Sequence, residues 1–145
     1  MLVAVVDTNV WVSAFLSPHG HPAQIHQAAK RKRFFPLTSE PLLAELAEVL
    51  ARPRLMKTHG ESLSSVRHYV SRLKRLSIIA HVTGTLALCR DPDDDVLLET
   101  ALAGHAPYIV SRDGDLTRDL DLHTAATRLG VQIMTVAQFL QRLAA

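Results

Sequence analysis

Acidic side chains stand at the ends of several segments whose apolar patterns predict strands and helices. Asp7 follows the first apolar run of the chain, Asp94 opens a helix-like stretch, and Asp113 and Asp115 follow the strand-like segment 108–111. Ligand sites in open parallel sheets lie beyond the carboxyl ends of the strands, so these residues are expected to meet although they are far apart in sequence. Carboxylates brought together repel one another unless a cation or protons intervene. The pattern therefore predicts a divalent-metal site.

The helical period separates acids that face the protein interior from acids that face water. In the helix predicted from Glu40 to Ala51, Glu45 lies on the border of the apolar face and Glu48 points toward solvent. In the helix that begins within the Asp-Pro-Asp-Asp-Asp run, Asp94 falls in the middle of the apolar face and Asp95 at its edge. A carboxylate on the apolar face is costly unless something binds it, which favours Asp94 as a functional residue.

Each of these acids also has a structural explanation. An exposed helix glutamate is the ordinary alternative for Glu45, helix capping is the alternative for Asp94, and turn chemistry is the alternative for the Asp-Gly-Asp segment 113–115. Capping does not explain four acids within the five residues 91–95, because their mutual repulsion needs a compensating cation.

Polar residues beside the acids are candidates to support a metal site. Thr8 and Asn9 follow Asp7, and Ser111 ends the strand-like segment before Asp113. Hydrogen bonds from such neighbours orient metal ligands. The eight histidines show no metal-ligand spacing. The single cysteine has no assigned base, so a cysteine nucleophile is not predicted.

Length and composition predict one domain over residues 1–145. The first apolar run is too short for a signal peptide or a membrane span, and a single cysteine excludes an intramolecular disulfide, which agrees with a cytoplasmic location. Eleven of the sixteen basic residues lie between Lys30 and Arg75, and nine of the fourteen acidic residues lie between Asp91 and Asp121. A basic surface beside an acidic pocket suits a polyanion held by its phosphates; solvated helix faces are the alternative.

Strand-like and helix-like segments alternate along the chain, which predicts a single three-layer α/β/α domain with a mostly parallel sheet. The predicted strands are 2–6, 77–82, 107–111 and 131–134. The predicted helices are 8–16, 22–32, 40–51, 62–76, 94–104, 119–129 and 135–143. Segment 34–37 is predicted as a short apolar link, and Pro53 is predicted to stop a helix.

Four short motifs, in this order, resemble those of PIN-domain proteins, and most closely the VapC-like toxin component of toxin–antitoxin pairs. They are Val6-Asp7-Thr8-Asn9-Val10, Ser39 with Glu45 six residues later, the run from Arg90 to Asp95 before Leu97-Leu98-Glu99, and the run from Ile109 to Leu116. The resemblance extends from Leu2 to the Gln138-Phe139-Leu140 segment.

This resemblance implies a metal-dependent ribonuclease. In such proteins four acids hold Mg²⁺ or Mn²⁺, which are here Asp7, Glu45, Asp94 and Asp113. Asp115 would assist them. Position 95 is commonly Asn in the family but is Asp in this chain, so Asp95 competes with Asp94 for the third role, and the apolar-face argument favours Asp94. The resemblance also implies an RNA substrate, inhibition by a small antitoxin protein, and a homodimer.

Two other functions stay open at this point. A phosphoryl-transfer or receiver-type α/β domain also clusters acids after its first strand, but Asp7-Thr8-Asn9 lacks the second Asp of the phosphatase motif, and no Lys follows the strand at Ile109. A non-catalytic RNA- or partner-binding module of the same fold would carry the same acids. RNA cleavage that needs a divalent cation would separate these functions, and a small open reading frame beside the gene would favour a toxin.

Overall fold

A parallel β-sheet flanked by helices organises the chain. The computed structural model describes residues 1–112 and 120–144. Within these residues the strands β1 to β5 are Val3–Val6, Phe35–Thr38, Ile78–Ile79, Tyr108–Ser111 and Gln132–Thr135. The helices α1 to α8 are Thr8–Leu16, His21–Lys30, Glu40–Leu50, Pro53–His59, Leu63–Leu76, Pro92–Ala103, Leu120–Arg128 and Val136–Ala144.

The order of the strands places β1 at the centre of the sheet. The order is β3-β2-β1-β4-β5, and each neighbouring pair is parallel. The chain moves outward from β1 to β3 on one side, then returns to build β4 and β5 on the other. The order therefore reverses between β1 and β4, and such a switch point is where open α/β sheets bind ligands, beyond the carboxyl ends of the strands.

Two apolar cores lie on opposite faces of the sheet. Along β1, Ala4 and Val6 belong to one core and Val5 to the other, as the alternation of side chains along a strand requires. The first core includes residues of α1, α2, α5 and α8, and the rings of Phe34 and Phe139 meet there at a centroid distance of 4.9 Å. The second core includes residues of α6 and α7. These layers confirm the predicted α/β/α architecture with its parallel sheet.

Four elements differ from the sequence-based predictions. Segment 35–38 is a strand rather than a link, and Pro36 pairs with Ala4 in the register of β1. Proline removes a ladder donor, which made this strand hard to predict. Pro53 does follow the end of α3, but it also begins the short helix α4, because a proline fits the first turn of a helix.

The strand predicted over 77–82 is only two residues long, and the helix predicted from Asp94 begins at Pro92. Beyond Ala80, which donates its N–H to the carbonyl of Thr38, backbone groups of the chain bond to side chains of α6 instead of to β2. In the described residues, no helix is long and apolar enough to cross a membrane.

Candidate active site

Asp7 lies at the switch point of the sheet, directly after β1. Its backbone N–H donates to the carbonyl of Val110 in β4 at 2.9 Å, and it occupies the N-cap position of α1 with extended backbone angles. The Ser111 hydroxyl donates to Asp7 Oδ2 at 3.1 Å. Because the Asp7 carboxylate makes no capping bond to α1, Ser111 orients it across the ends of the two central strands. The sequence had proposed Asp7 as a ligand and Ser111 as a supporting residue of the metal site, without predicting that the two would bond to each other.

Glu45 reaches the same edge of the sheet from α3. The side chain is half-buried, and the almost fully buried Thr8 hydroxyl donates to its Oε2 at a long 3.5 Å. Burial, followed by the negative charges of Asp93 and Asp7, raises the pKa of Glu45, and the bond from Thr8 offsets only part of this effect. The negative charges of Asp7, at the end of β1, and of Asp93, in α6, therefore both act on Glu45 of α3.

The first turn of α6 supplies the remaining acids of this region. Asp91 caps the helix by accepting the Asp93 N–H at 3.0 Å. Asp93 is exposed, Asp94 is partly buried, and Asp95 is only 8% exposed. The expectation that Asp94 occupies the innermost position of this run is therefore wrong, because the backbone of segment 88–89 covers Asp95 while Asp94 stays at the open end of the helix.

The electrostatic influence of Asp93 on Glu45 was not anticipated. Sequence reasoning gave Asp93 no part in the acidic site, whereas its charge is the largest charge effect on the pKa of Glu45. The available signal was the density of acids in the run 91–95, which pointed to a functional segment without distinguishing its members.

The serine at the N-cap position of α3 bonds to a neighbouring helix instead of capping its own. Ser39 is at the N-cap position but makes no capping bond; its side chain is fully buried and lies 2.9 Å from the Thr100 hydroxyl of α6. This contact joins the helix that carries Glu45 to the helix that carries Asp93 and Asp94.

The described residues include only part of the predicted ligand set. Asp113 and Asp115 lie outside the described residues. Among residues 1–112 and 120–144, no three side chains of His, Cys, Asp or Glu form a group that could hold a metal ion. A complete ligand set would therefore need a contribution from beyond these residues.

The chemistry of the site nevertheless fits a hard divalent cation. The side chains at the switch point present carboxylate oxygens, the donors that Mg²⁺ and Mn²⁺ prefer. Burial and then the negative charges of Asp93 and Asp7 raise the pKa of Glu45, and a cation would offset those charges. Hydroxyl groups of Thr8 and Ser111 hold two of the carboxylates, as hydrogen-bonding neighbours of metal ligands commonly do.

A comparison with protein families adds to this geometry. The family model described as PIN domain matches residues 3–115. The chain belongs to the PIN-domain family. PIN domains are generally metal-dependent nucleases, and they use divalent metals such as Mg²⁺ or Mn²⁺.

One curated relative of this PIN domain is an uncharacterized protein (MJ1680) of Methanocaldococcus jannaschii. It is 26% identical over 139 residues, which cover 94% of this chain and 88% of the relative. No solved structure gives a significant match. The similarity to the archaeal protein extends over almost the whole chain and therefore continues beyond residue 115, where the family match ends.

Proposed function

We propose that this PIN domain is a Mg²⁺- or Mn²⁺-dependent endoribonuclease that hydrolyses phosphodiester bonds in RNA. The observation that carries the proposal is the negative charge of Asp7 and Asp93 acting on the half-buried Glu45 at the switch point of the sheet. Such repulsion is unfavourable in the metal-free protein, and a divalent cation relieves it.

Four acids would hold the metal, namely Asp7, Glu45, Asp94 and Asp113. Asp115 would assist them. When bound, the ion would activate a water molecule at neutral pH and stabilise negative charge on the leaving oxygen. Thr8 donates to one oxygen of Glu45 and would help to orient that carboxylate. Ser111 donates to one oxygen of Asp7, and Asn9, the second residue of α1, would support the site beside them.

Exposed cations supply attraction for an RNA backbone. The four consecutive basic residues Lys30 to Arg33 are exposed, but they precede β2 and therefore lie at the opposite edge of the parallel sheet from the acids. Arg52 lies nearer the acids: it makes two hydrogen bonds to Glu48, at 3.1 and 2.9 Å, one helical turn along α3 from Glu45. Such side chains bind phosphates without reading sequence, so RNA affinity would fall as salt concentration rises.

We also propose that the enzyme is the toxin of a type II toxin–antitoxin pair, acts in the cytoplasm as a homodimer, and is inhibited by a small antitoxin protein. The support is the resemblance of the four acidic motifs to VapC-like proteins. Cell growth on expression tests the toxin proposal, and rescue of growth by the product of a small adjacent gene tests the antitoxin proposal. Light scattering of the purified protein gives its mass and tests the homodimer. Normal growth on expression of active enzyme would contradict the toxin assignment.

The central test is cleavage of RNA with Mn²⁺, with Mg²⁺ and with EDTA. The wild-type protein should cleave only with a cation, and Asp94→Asn should abolish cleavage without unfolding the protein. Glu61→Gln, a substitution of an exposed acid between α4 and α5, is the matched control and should keep wild-type activity. RNA binding that EDTA leaves unchanged, with no cleavage under either cation, would instead identify a non-catalytic binding module.

A further inference from the structure

Two acids of α6, one turn apart, hold the segment that connects β3 to α6. Glu99 Oε2 accepts the N–H groups of Thr83 and Gly84, at 2.6 and 3.3 Å, and its Oε1 accepts the N–H of Leu86 at 3.3 Å. Asp95 Oδ1 accepts the N–H groups of Leu88 and Cys89, at 2.9 and 2.8 Å. The connection is therefore bound to the side of the helix through its own backbone.

Asp95 has its hydrogen-bonding needs met without a metal ion. Burial opposes ionisation of Asp95, but the N–H groups of Cys89 and Leu88 outweigh it and hold the pKa of this carboxyl below its usual range. The Cys89 thiol is a third partner, and burial together with the adjacent Asp95 raises the pKa of that thiol to about 12. Charge-assisted hydrogen bonds of this kind are roughly twice as strong as neutral ones.

We infer that Asp95 and Glu99 are positioning residues, not metal ligands, and that they hold the first turn of α6 where its acids can face Glu45. The inference rests on the proposed function, since it concerns how the acidic site is kept in place. It also assigns different roles to two neighbouring acids: Asp94 would bind the metal, and Asp95 accepts hydrogen bonds from backbone N–H groups.

The geometry of the connection explains how the effect reaches the site. The bonds from Leu88 and Cys89 to Asp95 close a short loop of chain, residues 88–95, and this loop contains Asp93 and Asp94. Asp91 caps the helix within the same loop, and Arg90 donates its N–H to Asp121 of α7 at 2.7 Å. Without the bonds to Asp95, the loop of residues 88–95 would open. Asp93 and Asp94 would then no longer be held at a fixed distance from α3.

Conservative and truncating substitutions at position 95 separate the two roles. In Asp95→Asn, the amide oxygen still accepts both N–H groups, so Mn²⁺ affinity should stay within about threefold of wild type. In Asp95→Ala the loop opens, and Mn²⁺ affinity should fall about 10-fold or more, as it does when partners of metal ligands are removed. Calorimetric titration of the full chain with MnCl₂ alone measures both values without relying on cleavage.

A substitution of Glu99 tests the positioning role independently, because Glu99 was never a candidate metal ligand. Glu99→Gln removes the charge and one of the two acceptor oxygens, and it should weaken Mn²⁺ binding as well as speed hydrogen exchange at Thr83 and Leu86. Glu61→Gln is the control for loss of a surface charge. Thermal unfolding of each variant shows that the protein is folded at the temperature of the titration.

Hydrogen exchange at the Leu88 and Cys89 amides tests the closure itself. Exchange should be slow in wild type and in Asp95→Asn, and about 10-fold faster or more in Asp95→Ala. If Asp95→Asn loses Mn²⁺ affinity while these amides stay protected, Asp95 is a ligand and the inference is overturned. If Asp95→Ala speeds exchange at the Leu88 and Cys89 amides but keeps wild-type Mn²⁺ affinity, Asp95 does not position the metal ligands and the inference is overturned. A wild-type protein that binds no Mn²⁺ refutes the proposed function itself.

Discussion

The Ser39 hydroxyl donates a hydrogen bond to the Thr100 hydroxyl across the interface of α3 and α6. The two oxygens are 2.9 Å apart, and both side chains are fully buried. The direction follows from Thr100, whose only hydroxyl proton goes to the carbonyl of Val96 at 2.7 Å. The two helices that carry Glu45 and Asp94 are thus joined by a directed polar contact inside the protein.

Thr100→Val should destabilise the protein by about 1–3 kcal/mol, because it leaves the buried Ser39 hydroxyl without an acceptor. The double variant Ser39→Ala with Thr100→Val removes both partners and should recover a large part of that loss. Urea unfolding of the two single variants and the double variant measures the coupling. Additive losses would show that the contact is unimportant to the packing of α3 on α6.

Glu45→Gln should abolish cleavage, by about 100-fold or more, yet stabilise the metal-free protein at neutral pH. The pKa of Glu45 is raised in the folded state, so the native protein holds this proton more readily than the unfolded chain does. Ionised Glu45 therefore reduces stability above its folded pKa, and the penalty disappears as the pH falls toward the ordinary value of 4.5.

Urea unfolding with EDTA at pH 7 and at pH 4 checks this sign. The gain in stability of Glu45→Gln over wild type should be present at pH 7 and shrink at pH 4. If Glu45→Gln is less stable than wild type at pH 7 without metal, burial and the charges of Asp93 and Asp7 do not destabilise ionised Glu45.

His26 should make the protein less stable in mild acid. Burial, then the charges of Lys30 and Arg72, lower the pKa of His26 from 6.5 to about 4, and its ring packs edge-on against those of Trp11 and Tyr69. Between pH 6.5 and 4 the unfolded chain takes up a proton that the native protein refuses, so this contribution to stability falls with pH. The group is only partly buried, so we expect a loss of about 1 kcal/mol between pH 7 and pH 5.

His26→Phe keeps a ring in contact with Trp11 and Tyr69 and removes the titrating group. Its free energy of unfolding should therefore change less between pH 7 and pH 5 than that of wild type. Equal pH dependence in the two proteins would show that folding does not lower the pKa of His26.

Gly104→Ala should destabilise the protein by about 1–3 kcal/mol through overpacking. A Cβ atom at this position would lie 2.3 Å from the side chain of Leu37, which is buried in the second core, and the backbone angle of Gly104 imposes no strain of its own. Gly20→Ala is the control, since its nearest neighbour would be at 3.3 Å. Melting temperatures of the two variants should differ by several degrees. Equal values would mean that Leu37 can move aside.

The sequence predicted the elements whose patterns are local. The apolar run before Asp7 and the helical period of α1, α3 and α5 were sufficient, because burial on one or both faces determines those patterns. Strand β2 and helix α4 were missed, because each contains a proline that a local rule treats as an interruption. Tertiary pairing with β1 and β3 makes segment 35–38 a strand.

Within the site, the sequence predicted which residue types gather but not how each is used. Ser111 and Thr8, which were predicted to support a metal site, donate to the candidate ligands Asp7 and Glu45, and the metal site itself stays a prediction. The roles of Asp93 and Asp95 were not predictable, because they depend on contacts with Glu45 and with the connection 83–89, which helical phase alone does not contain. Asp113 and Asp115 stay predictions.

The fully buried Phe139 shows that α8 is part of the folded core of this domain. It lies against Phe34 in the first core, and Arg142 of the same helix donates to the Tyr108 hydroxyl of β4 at 2.6 Å. The family match stops at residue 115, before β5 and α8. A shortened protein cut at that point would bare the outer edge of β4 and one side of Phe34, so it should aggregate rather than act as a minimal nuclease.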